Sequence, residues 1–204
     1  MTNEKMLTLL NRYLETENIM ELNELKQGIE ENIREQSNRK VNKNLARSMN
    51  NIIKTARKDN SRIMFHTAFY NNEWLTVTDG YRAIQTLDPI ELETLEQEKP
   101  VDISRLFEPG FNRDGRIDLP TIQELNAYIK IKKAERTNRH EIITLGLKRK
   151  DGKMLYLNTE LLKDILTSEE YVLTYQQGNT LSPVIFEGRN TRALLLPVRT
   201  PNNK

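Results

Sequence analysis

Few residues in this chain belong to types that do chemistry unaided. There is no cysteine, which removes thiol nucleophiles, Cys-ligated zinc, iron–sulfur clusters and a disulfide-stapled scaffold together. The two histidines, His66 and His140, stand far apart and without the spacing of metal ligands. His66 falls in a β-rich stretch and reads as a packed or surface side chain rather than a catalytic one. Asp79 is followed by Gly80, a pairing that suits a tight turn better than an acid–base site. The carboxylates show no paired spacing, and the eight glycines form no phosphate-cradling loop. No enzyme activity, cofactor or metal is therefore expected. What the residue types do offer is charge, laid out in blocks.

Residues 1–35 hold eight glutamates against Lys5, Arg12, Lys26 and Arg34. From Arg39 to Arg62 the sign reverses, with eight cations opposed only by Asp59. Acid returns between Asp88 and Asp102, and Lys130–Lys150 form a second basic stretch. The totals hide this, since the net charge is only +2. Charged residues make up 29% of the chain, above the usual ~25%, so much of the helix surface should be solvated around a moderate core. Within the first basic block, Lys43, Arg47, Lys54, Arg57 and Lys58 recur at helical steps and fall on one side, with Leu45, Met49, Ile52, Ile53 and Ala56 opposite. Such a face suits sequence-independent contact with the phosphates of double-stranded DNA. It suits equally a helix merely solvated by lysine and arginine.

The elements that must carry these residues follow from periodicity. Met6, Leu7, Leu10 and Leu14, then Leu22, Leu25, Ile29 and Ile33, predict a helical hairpin broken near Glu17–Asn18. Polar residues at Gln36–Lys40 suggest a hinge before the basic helix. Strands are expected at Arg62–Ala68, Glu73–Thr78 and Arg82–Leu87, with turns at Tyr70–Asn72 and Asp79-Gly80. Residues 88–117 look irregular and contain Pro89, Pro100 and Pro109-Gly110. Thr121 and Glu124 have the spacing of a capping box at the head of a helix that turns Ile122, Leu125 and Ile129 inward. Strands follow at Ile142–Leu147 and Lys153–Leu157 around Asp151-Gly152. Asn158 caps a short helix over Thr159–Leu166, and strands at Glu170–Tyr175, Leu181–Glu187 and Thr191–Val198 complete the set. A helix followed by three strands thus occurs twice, an internal repeat in order of elements.

Two strings within this repeat resemble a known family. EWLTVTDGYRA (Glu73–Ala83) is similar to the strand and turn of bacterial sliding clamps, the β subunit of DNA polymerase III, that commonly ends T-D-G-H-R-L-A, with Tyr81 in the place of histidine. MLYLNTELLKDIL (Met154–Leu166), EYVLTY, SPVIFE and ALLLPVR (Ala193–Arg199) resemble the family's last half-domain, LPVR standing where the family ends close to M-P-M-R. The resemblance spans roughly 43–88 and 142–199. It implies an α+β, DNA-clamp-like domain of two helix-plus-three-strand units over 41–204, carrying an insertion at about 89–141 and preceded by an N-terminal helical hairpin over 1–40.

The resemblance also implies a function: a non-enzymatic, sliding-clamp-like protein of DNA replication or repair. Its partners would be replication proteins bearing short clamp-binding motifs. Carried over residue by residue, the peptide groove comprises Thr78, Gly80, Tyr81 and Arg82 with Leu196, Pro197, Val198 and Arg199, with Ile84 as a further wall. An alternating core strand and a plain hairpin turn would account for the same residues. The family has three such domains per chain and this chain has room for one, which suggests a monomer or dimer rather than a closed ring, and a phage or mobile-element origin. No run is apolar and long enough to span a membrane, so a cytoplasmic protein is expected. Two other readings compete: a nucleic-acid-binding protein unrelated to clamps, working through the basic helix and the 130–150 stretch, and a protein–protein adaptor that docks through its acidic hairpin.

Overall fold

A computed structural model describes residues 3–16, 19–92, 101–107, 115–166, 171–175 and 180–199. The Glu17–Asn18 break, Pro100 and Pro109-Gly110 lie outside the described residues. The chain divides into two compact units, 1–43 and 44–204.

In the first unit α1 (Asn3–Thr16) folds back on the start of α2 (Ile19–Ala56), so that the Asn32 amide reaches the Met6 sulfur and Lys5 pairs with Glu24. Among the described side chains of this unit, Leu9 and Leu25 are the large apolar ones that are buried. The hinge expected at Gln36–Lys40 is absent: α2 runs unbroken for 38 residues. Polar residues do not stop a helix unless they supply a proline, a cap or a competing local hydrogen bond, and Gln, Glu, Arg and Lys are good helix formers.

The second unit is α+β. Its main sheet has the order β1-β2-β3-β9-β8-β7-β4, where β1 is Phe69–Asn71, β2 Trp74–Thr78, β3 Arg82–Thr86, β4 Gly115–Ile117, β7 Val172–Tyr175, β8 Val184–Glu187 and β9 Thr191–Leu195. All its pairings are antiparallel. Leaving aside β4, the order 1-2-3-9-8-7 reads the same from either edge. Each triplet follows a helix, the last turns of α2 in one case and α4 (Thr159–Ile165) in the other. The repeat read from the sequence is therefore a structural one, and its two-fold passes between Ile84 and Ala193, the central pair of the β3–β9 seam.

Alternation along the strands gives the sheet two faces. On one, Leu75, Val77, Ile84, Leu173, Val184, Phe186, Ala193 and Leu195 pack against Leu45, Met49, Ile52 and Ile53 of α2 and Leu162 and Ile165 of α4. The helix α3 (Ile122–Glu135) adds Leu125 and Ile129 to this core, and the hairpin β5 (Thr144–Lys148) and β6 (Met154–Asn158) adds Leu155 and Leu157. The hairpin forms a separate two-stranded sheet rather than part of the repeat. On the other face Ala83, Ile185 and Leu194 meet Ile103 and Phe107 from a single 3-10 turn. There the Arg192 guanidinium lies between the Trp74 and Phe107 rings, at 4.3 and 4.7 Å, and donates to Gln85 Oε1 at 2.7 Å.

Both expected caps form. Thr121 and Glu124 close a reciprocal capping box on α3, and the Asn158 side-chain Oδ1 accepts from the Glu160 and Leu161 amides of α4. Two strand assignments change. Arg62–Ala68 is not a strand: Ile63–Phe65 is a 3-10 turn, and the strand begins at Phe69, where the chain meets β2. Within 88–117, expected to be irregular, β4 pairs with β7.

Candidate peptide-binding seam

The β2–β3 turn is built by its own side chains. Gly80 takes φ +84, the left-handed region that glycine tolerates best. Thr78 Oγ1 accepts from the Gly80 amide at 3.0 Å and donates to the Arg82 carbonyl at 2.8 Å. Asp79 Oδ1 accepts from the amides of Tyr81 and Arg82, both at 3.0 Å. Asp79 is thus a turn acceptor, as its neighbour Gly80 predicts. Arg82, read as a groove residue, instead turns into the protein. Its side chain is 1% exposed, with Nε 3.0 Å from Asp79 Oδ2 and Nη1 2.6 Å from Asp164 Oδ2 on α4. Nη2 lies 3.5 Å from Thr55 Oγ1 on α2, and Asn51 Nδ2 donates to the second oxygen of Asp164.

This cluster ties the turn to the helices of both halves. A guanidinium so placed is unavailable to a ligand, and the same holds for the buried Thr78. Ile84, considered as a groove wall, is fully buried in the main core.

What remains at the surface is Tyr81, which is 58% exposed. The Arg62 guanidinium sits 5.7 Å over its ring, and a β-carbon on Gly80 would run into that guanidinium, with Phe65 close behind. The 3-10 turn that replaced the expected strand therefore lies against the β2–β3 turn and leaves Ile63 and Met64 exposed beside it. The run Arg62–Ala68 was legible as apolar but not as surface, and the contact with Gly80 has no local signal.

The tail after β9 comes to the same place. The Leu196 amide donates to the Tyr81 carbonyl at 2.9 Å, so the two segments that carry the clamp resemblance are adjacent. Leu196 packs on the smaller apolar cluster. Two residues on, the Val198 amide donates to the Tyr156 carbonyl of β6 at 2.8 Å, so the tail bridges the main sheet and the separate hairpin. Leu196, Pro197 and Val198 are half-buried and Arg199 is exposed. Tyr81, with the Arg62 guanidinium over its ring, and the half-buried Leu196 thus meet at this corner of the sheet.

Of the basic residues, Arg47 and Lys54 are exposed on the side of α2 opposite Met49, Ile52, Ile53 and Ala56, with exposed Asn50 in the interval, whereas Arg57 and Lys58, expected on the same helix face, are exposed in the turn just past its end at Ala56. Arg57 also donates through Nε to the His66 carbonyl at 2.9 Å. Lys43 is exposed too, but belongs to the first compact unit. His66 Nε2 lies 3.0 Å from the Asp59 carbonyl, a structural bond within the loop. Asp59 itself is held below the ordinary aspartate range by hydrogen bonds from Ser61, and then by Arg62. A cleft of about 330 Å³ opens at the end of α3, where the Tyr128 hydroxyl donates to the Thr144 carbonyl and Lys132 pairs with Glu135. Among the described residues no cluster of His, Asp or Glu could hold a metal, and no helix is long and apolar enough to cross a membrane.

No family model matches the chain, and no curated protein matches it by sequence. Solved structures similar to it include the DnaN sliding clamp (DNA polymerase III subunit beta) of Bartonella birtlesii bound to griselimycin, at 14% identity over 70% of this chain, with a TM-score of 0.49. The Helicobacter pylori β clamp bound to a DNA ligase peptide is 12% identical over 76% of the chain, at 0.48. The DNA polymerase III β subunit of Thermotoga maritima is 12% identical over 74%, at 0.43. The chain spans 60%, 63% and 64% of the length of these three.

Proposed function

We propose that residues 44–204 are a clamp-like, non-enzymatic binding module of DNA replication or repair that holds a short linear segment of a partner protein at the seam between the Tyr81 turn and the Leu196–Arg199 tail. One observation carries this reading. Tyr81 and Leu196, one in each of the two strings that resemble sliding clamps, are 115 positions apart in sequence, yet the Leu196 amide and Tyr81 carbonyl join them at 2.9 Å. The groove set is then Gly80, Tyr81, Leu196, Pro197, Val198 and Arg199, widened by Ile63 and Met64. Thr78 and Arg82 shape it from beneath. An apolar Leu or Phe anchor of the partner would lie against Tyr81 and the tail, and polar groups at the rim would set its direction.

Calorimetry with a peptide rich in Gln, Leu and Phe tests it. Wild type should bind, and Tyr81→Ala or Val198→Asp should each weaken binding some thirtyfold, about 2 kcal/mol, with circular dichroism unchanged. Absence of binding to wild type at millimolar peptide would remove the groove.

A second reading, favoured by the exposed cations Arg47 and Lys54 on α2 and Arg57 and Lys58 in the turn after it, is contact with duplex DNA through phosphates. Charge reversal at Arg47 and Lys54 should then weaken binding to all sequences alike and flatten its salt dependence by about one unit of log–log slope per lost contact. Equal affinity in the reversed variant would leave these cations as solvated surface.

A further inference from the structure

The face of the main sheet turned away from α2 carries an apolar strip, in which Ala83, Leu194 and Ile185 lie side by side on three neighbouring strands. None of the three is more than 4% exposed, and what covers them is a piece of chain from outside the repeat: Ile103 and Phe107 of the 3-10 turn Ser104–Leu106 and its flanks. Two backbone hydrogen bonds, from the Leu106 amide to the Ile103 carbonyl and from the Phe107 amide to the Ser104 carbonyl, close this turn on itself. It meets the sheet through side chains. Ser104 Oγ donates to Asn71 Oδ1 at 2.9 Å, and the Phe107 ring lies on the Arg192 guanidinium. A segment that brings its own backbone shape and rests on apolar anchors has the form of a linear motif, although it belongs to the same chain.

The strip continues past the turn. Leu196 follows Leu194 by two residues and packs on the same cluster, and its amide is the one that the Tyr81 carbonyl holds. The covered strip and the seam are therefore one surface, with the turn seated at one end of it. The turn also ends in the anchor types assigned above to a partner, Leu106 and Phe107, of which Phe107 is buried and Leu106 is 37% exposed. Local opening falls first on elements with few buried contacts, and a single turn anchored by two side chains is such an element. Its departure uncovers Ala83, Ile185 and Leu194 next to the place where a partner segment enters.

We propose that residues 101–107 are an autoinhibitory cover, the chain's own stand-in for a partner segment, which must leave the strip before a partner held at Tyr81 and Leu196 can extend over Leu194 and Ala83. This rests on the reading of the seam given above and adds how access to it is controlled.

Trp74 is the single tryptophan of the chain. It shares the Arg192 guanidinium with Phe107 and begins β2, whose other end leads to the Tyr81 turn, so its emission follows the cover rather than the seam. Titrating the wild type with the peptide rich in Gln, Leu and Phe should change Trp74 emission in step with binding measured by calorimetry. Ile103→Ser with Phe107→Ser should show the changed emission without peptide and bind the peptide about tenfold more tightly, the factor expected if the cover is shut about nine-tenths of the time. A capped heptapeptide of residues 101–107, added to that variant, should restore the wild-type emission and compete with the seam peptide. Asn71→Ala leaves the apolar anchors in place and removes only the polar contacts with Asp102 and Ser104, so it does not depend on the double variant folding. It should tighten peptide binding about twofold or more. Peptide bound by the wild type with Trp74 emission unmoved, equal affinity in the wild type and both variants, or a heptapeptide without effect would overturn the cover and leave the seam standing. Peptide binding to none of the three proteins would instead sink the seam, and the cover with it.

Discussion

The two halves of the sheet are alike in backbone and unlike in what they do with it. Each ends its central strand in a turn whose carbonyl accepts an amide from the strand across the seam: Tyr81 from Leu196, and Asn190 from Leu87, both at 2.9 Å. The two bonds are equivalents under the two-fold. At the first turn Asp79, Gly80 and Arg82 build a tight corner, bury a guanidinium and leave an aromatic ring outside. At the second, Arg82 is matched by Thr191, whose hydroxyl meets that of Thr86, and the corner is polar, with Asn190 donating to Asp88. The repeat supplies the frame twice and the candidate site once. Symmetry of fold thus says where a site can be, and side chains decide which of the two places becomes one.

The sharpest way to break this contrast is at the buried guanidinium. Arg82→Met leaves Asp79 in the interior without its cation and releases Asp164, so urea unfolding should show a loss of about 3 kcal/mol or more. Thr191→Val, at the equivalent place, removes one long hydroxyl contact and should cost under about 1 kcal/mol. Equal losses would mean that the two corners bear the same load.

Gly80→Ala should cost about 1–2 kcal/mol, since it meets both a left-handed backbone and the Arg62 guanidinium. Gly152→Ala, at a turn with φ +80 but open space around the β-carbon, should cost less than Gly80→Ala by the same measurement. The helices differ as well. The seven-residue α4 depends on its Asn158 cap, so Asn158→Ala should cost about 1 kcal/mol in thermal or denaturant unfolding.

The smallest effect is on acidification. The Asp59 carboxyl lies below its ordinary range because Ser61 and then Arg62 favour its charged form. Its contribution is therefore fully present above the ordinary aspartate range and is lost as the pH falls through the lowered value. The Ser61 amide resonance should follow that titration, whereas amides at Gly188–Asn190 should not move with it.

Local chemistry made much of this readable. Thr121 with Glu124, Asn158 before Glu160, and Asp79 before Gly80 announce caps and a turn through contacts spanning two or three residues, and all three form. The order of elements announced the repeat. Other features depend on distant partners. Arg82 is an ordinary polar residue on a strand until Asp164 is brought to it, and a single sequence gives no sign of that meeting. Gln36–Lys40 looked like a break because it is polar, whereas helices end for reasons of capping and geometry. Ile63–Phe65 has the apolar content of a strand but no neighbour with which to pair, so it closes into a 3-10 turn beside Gly80. The resemblance implied that the two strings meet, and the Leu196 amide does reach the Tyr81 carbonyl; what neither string announced is that Thr78, Arg82 and Ile84 turn inward.

The seam between β3 and β9 has a consequence for how the chain is made. Ile84 lies opposite Ala193, a residue that leaves the ribosome roughly a hundred positions later, so the first three strands must wait with the inner edge of β3 unpaired. That edge, Arg82–Thr86, is buried along its whole length in the finished sheet. Until β9 arrives it offers free backbone groups and apolar side chains to any passing strand, the situation in which nascent proteins aggregate or recruit chaperones. Ribosome-bound chains that stop before Thr191 should accordingly be protease-sensitive across β1–β3, and become resistant only once Leu195 has cleared the exit tunnel.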